Sequence, residues 1–161
     1  MFREMRRIKQ QLPPEKSLDI LREGTSGVLA VSGDDDYPYA VPLSYVYNDG
    51  KLIFHCAKTG HKLDAIARNE KVSFCVIAQD NVIPEKYTTY FRSVIVFGRA
   101  KIIDSDAGRR EALELLGLRY SPNQGQGLID EIDKSLNRVC LVELNIEHIT
   151  GKESIELVND K

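Results

Sequence analysis

The feature that most constrains this chain is a series of short apolar, β-branched and aromatic runs punctuated by tight polar turns. Gly27-Val-Leu-Ala-Val-Ser32 ends on Gly33-Asp34-Asp35-Asp36, which reads as a strand and a turn. Tyr37 to Tyr47 resumes strand character, and Asn48-Asp49-Gly50 is a strong hairpin signal before Lys51 to His55. Val72 to Ala78 is a near-continuous apolar strand. Ser93 to Ile103 is another, interrupted at Gly98, where a bulge or a close backbone approach is expected. Val139 to Ile146 alternates as a closing strand. The polar segment Gln79 to Arg92, which contains Pro84, reads as an excursion between two strands, with some strand character around Tyr87 to Tyr90.

Helical spacing appears between and after these runs. Pro14 can occupy the first turn of a helix over Glu15 to Glu23, ended by Gly24. Thr59 to Asn69 places Leu63, Ile66 and Ala67 on one face. Asp104-Ser105-Asp106 can cap a helix from Ala107 to Leu118, and a shorter helix is expected from Leu128 to Leu136. The sum is six or so strands, mostly joined by short turns, with three or four helices outside them. That pattern predicts a mainly β fold with peripheral helices, an antiparallel barrel. It does not fit a doubly wound nucleotide fold, because strands and helices fail to alternate.

With 161 residues, 42% of them apolar, the chain is long enough for one domain with a core that needs no disulfide or metal. A charged leader (1–12) and a polar tail (153–161), mobile at its end, would flank it. Lys and Arg number 22 and Asp and Glu 24, for a formal charge of -2, and neither sign dominates a long stretch, so no nucleic-acid partner is expected. The leader lacks the apolar stretch of a signal peptide, and no window reaches the roughly 18 apolar residues of a membrane span. Cys56, Cys75 and Cys140 are widely separated and lack CxxC spacing, a poor disulfide or zinc framework. A cytoplasmic protein with no membrane partner and no metal is expected.

The chemistry concentrates in Leu52-Ile53-Phe54-His55-Cys56-Ala57-Lys58-Thr59-Gly60-His61-Lys62-Leu63, where an apolar strand hands over to a helix. A helix N-terminus offers unpaired N–H groups and the positive end of the dipole. Thr59, His61 and Lys62 add hydroxyl and cationic donors, so a phosphate would be well held there. Gly, Thr and Lys at such a turn also serve as plain caps and solvated surface, and a lone His55 as a packed imidazole. A metal held by His55 and His61 lacks a third ligand.

Resemblance adds to this reading. The phrases Gly27-Val-Leu-Ala, Asp36-Tyr-Pro-Tyr-Ala-Val-Pro-Leu-Ser-Tyr-Val-Tyr, Asp49-Gly-Lys-Leu-Ile-Phe-His-Cys-Ala and Gly60-His-Lys-Leu-Asp-Ala-Ile resemble the flavin-binding split β-barrel family that includes pyridoxamine 5′-phosphate oxidase. Asn69-Glu-Lys-Val-Ser-Phe, Val82-Ile-Pro-Glu-Lys-Tyr-Thr-Thr, Ser93-Val-Ile-Val-Phe-Gly-Arg-Ala and Glu147-His-Ile-Thr-Gly-Lys continue the pattern over nearly the whole chain. The branch associated with nitroimidazole resistance is the more similar one. The resemblance implies an antiparallel split β-barrel that holds one FMN at the interface of a homodimer. It implies that Val41, Pro42, Leu43 and Ser44 lie along the flavin ring. His55, Cys56, Ala57, Thr59, Gly60, His61 and Lys62 would then approach the ribityl chain and phosphate. Arg92 and Ser93 match a strand start that meets the flavin of the other subunit, though surface residues would look the same. His148 and Lys152 come near the site or belong to a solvated tail. Where the oxidase branch carries arginine, this chain has His61.

The resemblance further makes His55 the candidate proton donor to a small-molecule substrate. Pyridoxamine phosphate oxidation itself is not expected, since the chain has no Trp and its tail lacks an Arg-rich substrate motif. Three classes of function remain: an FMN-dependent reductase of small compounds such as nitroaromatics; a flavin-binding redox sensor without turnover; and a haem protein with His55, His61 or His148 as axial ligand.

Overall fold

A computed structural model describes residues 1–160, and in it the strands join into one antiparallel sheet of seven. They are β1 (Ser26–Ser32), β2 (Pro38–Ser44), β3 (Val46–Asn48), β4 (Lys51–Ala57), β5 (Lys71–Ile83), β6 (Thr88–Ile102) and β7 (Val139–Glu153), in the order β2-β1-β5-β6-β7-β4-β3. The helices are α1 (Pro14–Glu23), α2 (His61–Arg68), α3 (Asp106–Tyr120), α4 (Gln126–Ser135) and α5 (Ile155–Asn159). Strands β2 and β3 are the two edges, so the sheet is not closed, and the fold is a split β-barrel. Among the described residues, no helix is long and apolar enough to cross a membrane.

The Asn48-Asp49-Gly50 turn joins β3 to β4 as its composition predicts, with Asp49 at φ 45° and Gly50 at φ 76°. Gly98 marks a shift of register between β6 and β7, and a Cβ there would strike the Asn145 carbonyl oxygen. Two apolar clusters fill the structure. Leu29, Phe54, Phe74, Val96 and Leu144 pack on the concave side of the sheet. On its outer side Val46, Ile53 and Leu141 lie under Ala112, Leu113 and Leu116 of α3 and Ile132 of α4. Each buried Val, Leu, Ile or Phe side chain here contributes roughly 1.5–3 kcal/mol on burial.

Three expectations need correction. Residues 79–92 are not an excursion: β5 and β6 continue as a paired arm out to Ile83 and Thr88, turning on Pro84–Lys86. The arm exposes Val82 and Tyr87, so one-sided alternation is lost and a strand there looks like a loop. The stretch from Tyr37 to Tyr47 is two strands, parted at Tyr45, whose buried hydroxyl donates to the Leu21 carbonyl at 2.8 Å. The start of the polar tail is not solvated: Glu153 is 1% exposed, takes the Arg92 Nε–H at 3.2 Å and ends β7, and α5 follows. The charged leader packs on the sheet, with Gln10 and Leu12 buried and Phe2 stacked on His148 at 4.6 Å.

Candidate functional site

The candidate residues begin on the free edge of the sheet. In β2, Val41 and Leu43 turn inward against the main core, while Pro42 and Ser44 face out. Proline suits this edge, because β2 pairs only with β1 and one side of its backbone needs no ladder donor.

Strand β4 supplies the next group by simple alternation. Phe54 is fully buried, His55 faces out, Cys56 is half-buried, and Ala57 to Gly60 are exposed. Across the ladder Cys56 meets Cys140. Burial pushes the Cys56 thiol up to about 11, the Cys140 thiol adds to the rise, and the Lys62 charge opposes it.

Helix α2 starts immediately afterwards, two residues later than the spacing predicted. Its N-cap is Gly60, at φ 152°, a value that disfavours any other residue. No side chain caps the helix, and the space around Gly60 is open. Leu63, Ala65 and Ile66 anchor α2 in the core, which fixes the direction of its first amides. The N–H groups of Leu63 and Asp64 both reach the Gly60 carbonyl, whereas those of His61 and Lys62 precede the first intrahelical bonds. Lys62 stands half-buried beside them.

His61 is less free than its position implies. Its ring stacks on Tyr39 at 4.1 Å, and its Nε2 accepts the Asp34 backbone N–H at 3.4 Å. This bond leaves the neutral ring's proton on Nδ1. Asp34 is itself paired to Arg68 at 2.8 Å, so the β1–β2 turn is tied to both ends of α2.

The other candidates lie farther along the sheet. Arg92 is committed to Glu153 and donates to Gln79 Oε1 at 3.0 Å. Ser93 pairs with Ile77 on one side and Lys152 on the other. His148 is covered by Phe2, and the Lys152 ammonium sits 5.5 Å above the Phe91 ring, so neither belongs to a solvated tail. Within one chain, Arg92 borders a different cavity from the one that Ser44 and His55 share.

That shared cavity, about 370 Å³, is what sequence reasoning missed. Ser44 and His55 come from two strands separated by most of the sheet order, and α3 and α4 complete the walls. Tyr120 Oη, at the end of α3, accepts the Tyr45 N–H at 3.0 Å. It also lies 2.6 Å from the carbonyl oxygens of Thr25 and Tyr45, to one of which it donates. This locks α3 over the break between β2 and β3, and no local spacing announces it. A larger cavity, about 530 Å³, lies between Phe2 and the outer sheet face at Phe97 and holds none of the predicted residues.

Comparison with known proteins agrees with this architecture. Among curated proteins there is no match. A FAD and heme binding protein from Mycobacterium smegmatis is 24% identical, with a TM-score of 0.75, covering 91% of this chain and 74% of that one. A candidate 5-nitroimidazole antibiotic resistance protein from Bacteroides thetaiotaomicron is 18% identical, with a TM-score of 0.74 over 89% of this chain and 86% of that one. A FAD-binding protein from Mesorhizobium loti is 22% identical, with a TM-score of 0.64 over 90% and 97%. At these identities the likeness is one of fold. The pyridoxamine 5′-phosphate oxidase family model matches residues 13–153, most of the chain, and the protein belongs to that family.

Proposed function

We propose that the protein binds FMN and works as a reductase of a small molecule of the nitroaromatic type. The observation that carries this reading is the bare start of α2, with the His61 and Lys62 amides ahead of the helical ladder, Lys62 beside them and open space at Gly60. Such a start favours a dianionic phosphate through both its N–H groups and its dipole. Lys62, Thr59 and Gly60 would hold the phosphate, with His61 donating from Nδ1. Cys56 and Ala57 would border the ribityl chain, and Val41 to Ser44 the ring. The flavin supplies the electron chemistry when bound. His55, exposed on β4, donates the proton that the reduced substrate takes up. The flavin- and haem-binding neighbours support a redox cofactor on this fold.

The reading includes a homodimer in the cytoplasm, with Arg92 and Ser93 facing the partner's flavin. Cross-strand neighbours share a face, so Pro42, Val28, Cys75, Ile95 and Thr150 form one row on the outer side of the sheet. Val28 is 37% exposed, Ile95 42% and nearby Phe97 41%, an apolar patch suited to a second copy.

The test is the visible spectrum of the freshly purified protein, followed by titration with FMN and sedimentation analysis. A yellow dimer bleached by NAD(P)H is expected. A Soret band would replace flavin by haem, and a yellow protein inert toward substrates would make it a sensor. A colourless protein that takes up no FMN overturns the proposal.

A further inference from the structure

The α3–α4 hairpin plays no part in the flavin reading, yet it encloses the cavity that Ser44 and His55 enter. It buries Leu113, Leu116 and Ile132 against the outer face of the sheet, and beside this contact it stands off and leaves about 370 Å³. That is the small end of the range for ligand pockets, about 300–1,000 Å³, and suits one or two rings rather than a nucleotide. Leu116, Leu128, Ile132 and Val139 make the walls apolar. Gly117 also lines the cavity, and a Cβ there would strike Leu128 Cδ1, so the missing side chain sets how closely the two helices approach. Polar residues complete the lining: Ser44 and His55 on the strands, Tyr120 and Ser121 at the end of α3, and Glu131 and Ser135 on α4.

The charge pattern is informative. Among the described residues no Lys or Arg lines the cavity, and the one carboxylate there is that of Glu131. An anionic ligand would lose its hydration and meet a like charge, at a cost that an apolar wall cannot offset. The oxidase that gives the family its name acts on a phosphorylated substrate, so this cavity is chemically unlike the site such a substrate requires.

We propose that the α3–α4 hairpin forms the substrate chamber and selects a neutral aromatic molecule of one or two rings. Its ring lies among Leu116, Leu128 and Ile132, and a carbonyl or nitro oxygen accepts hydrogen bonds from His55 and Ser44. This rests on the flavin reading for the reaction but not for the binding. Leu128 and Gly117 are then specificity-determining residues, and His55 joins the chamber to the cofactor.

The experiment compares para-nitrobenzamide with para-nitrobenzoate, a neutral and an anionic ligand of nearly the same size, on the full chain with and without FMN. Wild type binds the amide about ten-fold or more tightly than the acid, and Leu128→Trp, which fills the chamber, weakens the amide about ten-fold while FMN affinity stays within about two-fold. Equal affinity for amide and acid, or amide binding untouched by Leu128→Trp, overturns the chamber. Should the variant fold poorly, methyl NMR of the wild type decides: the amide shifts Leu116, Leu128 and Ile132, and shifts confined to other methyls overturn the proposal. A protein that binds no FMN but loses the amide on Leu128→Trp supports the chamber and removes the flavin reading. Retained FMN with amide binding unaltered in that variant removes the chamber alone.

Discussion

Helix α3 begins on Ser105, whose hydroxyl accepts the Gly108 N–H at 3.1 Å, whereas α2 begins on Gly60, which has no side chain to offer. Both helices bury apolar residues against the sheet, α3 through Ala112, Leu113 and Leu116 and α2 through Leu63, Ala65 and Ile66. Packing therefore does not separate them; the treatment of their orphan amides does. A capped start is satisfied within the chain and contributes to stability, typically about 1 kcal/mol. An uncapped start, facing open space with a lysine beside it, holds donors ready for something from outside. Asp34 reinforces the contrast by tying Arg68 and His61 to the β1–β2 turn, so that α2 stays fixed without a cap.

Charge reversal at α2 breaks this comparison most sharply. Lys62→Glu puts a carboxylate in the first turn, where the helix dipole favours it by about 0.3–1 kcal/mol, so thermal stability holds or rises. FMN affinity in a titration should nevertheless fall about a hundred-fold or more, through loss of a cation and gain of repulsion. Opposite signs in the two measurements distinguish a binding site from a structural terminus, and unchanged FMN affinity would end the phosphate assignment. Lys62→Ala is the milder version: losing one charge-assisted hydrogen bond, roughly 1.5–3 kcal/mol, should weaken FMN about ten- to hundred-fold. Cys56 reports on the same place by chemistry. With its thiol pushed up to about 11, alkylation by iodoacetamide should be slow near neutrality, climb about ten-fold for each pH unit and level off near that value. Peptide mass spectrometry would follow the site, and FMN should slow its labelling. The smallest effect belongs to α3, where Ser105→Ala should cost about 1 kcal/mol in a denaturant melt. FMN affinity should stay unchanged there, and any loss would mean that the two starts are coupled.

The strands were legible wherever one face is buried and the other is not. Asn48-Asp49-Gly50 needed only local backbone preference, and the Ser105 cap only a side chain three residues ahead of its partner. The arm from 79 to 92 escaped because both its faces meet solvent, which removes the alternation. The pair of half-exposed Arg92 with buried Glu153 was hidden because its members are 61 residues apart and read separately as surface and tail. Cys56 and Cys140 looked unrelated until β4 and β7 set them opposite each other. The handover from β4 to α2 was read correctly as a place, since strand period, glycine and helix period occur in order. Its openness, and the engagement of His61 with Tyr39 and Asp34, were not readable there.

The amino-acid order by itself determined the β-rich class, the places of α1 to α4 and the residues gathered around Gly60, because these follow from spacing, turn chemistry and backbone preference within a few residues. Tertiary structure alone decided which of those groups face one another. The cavity of Ser44 and His55 exists because Tyr120 holds α3 over the break between β2 and β3. Contacts of that kind join residues that no local rule relates, and their geometry arises only when the sheet curls and the helices dock on it.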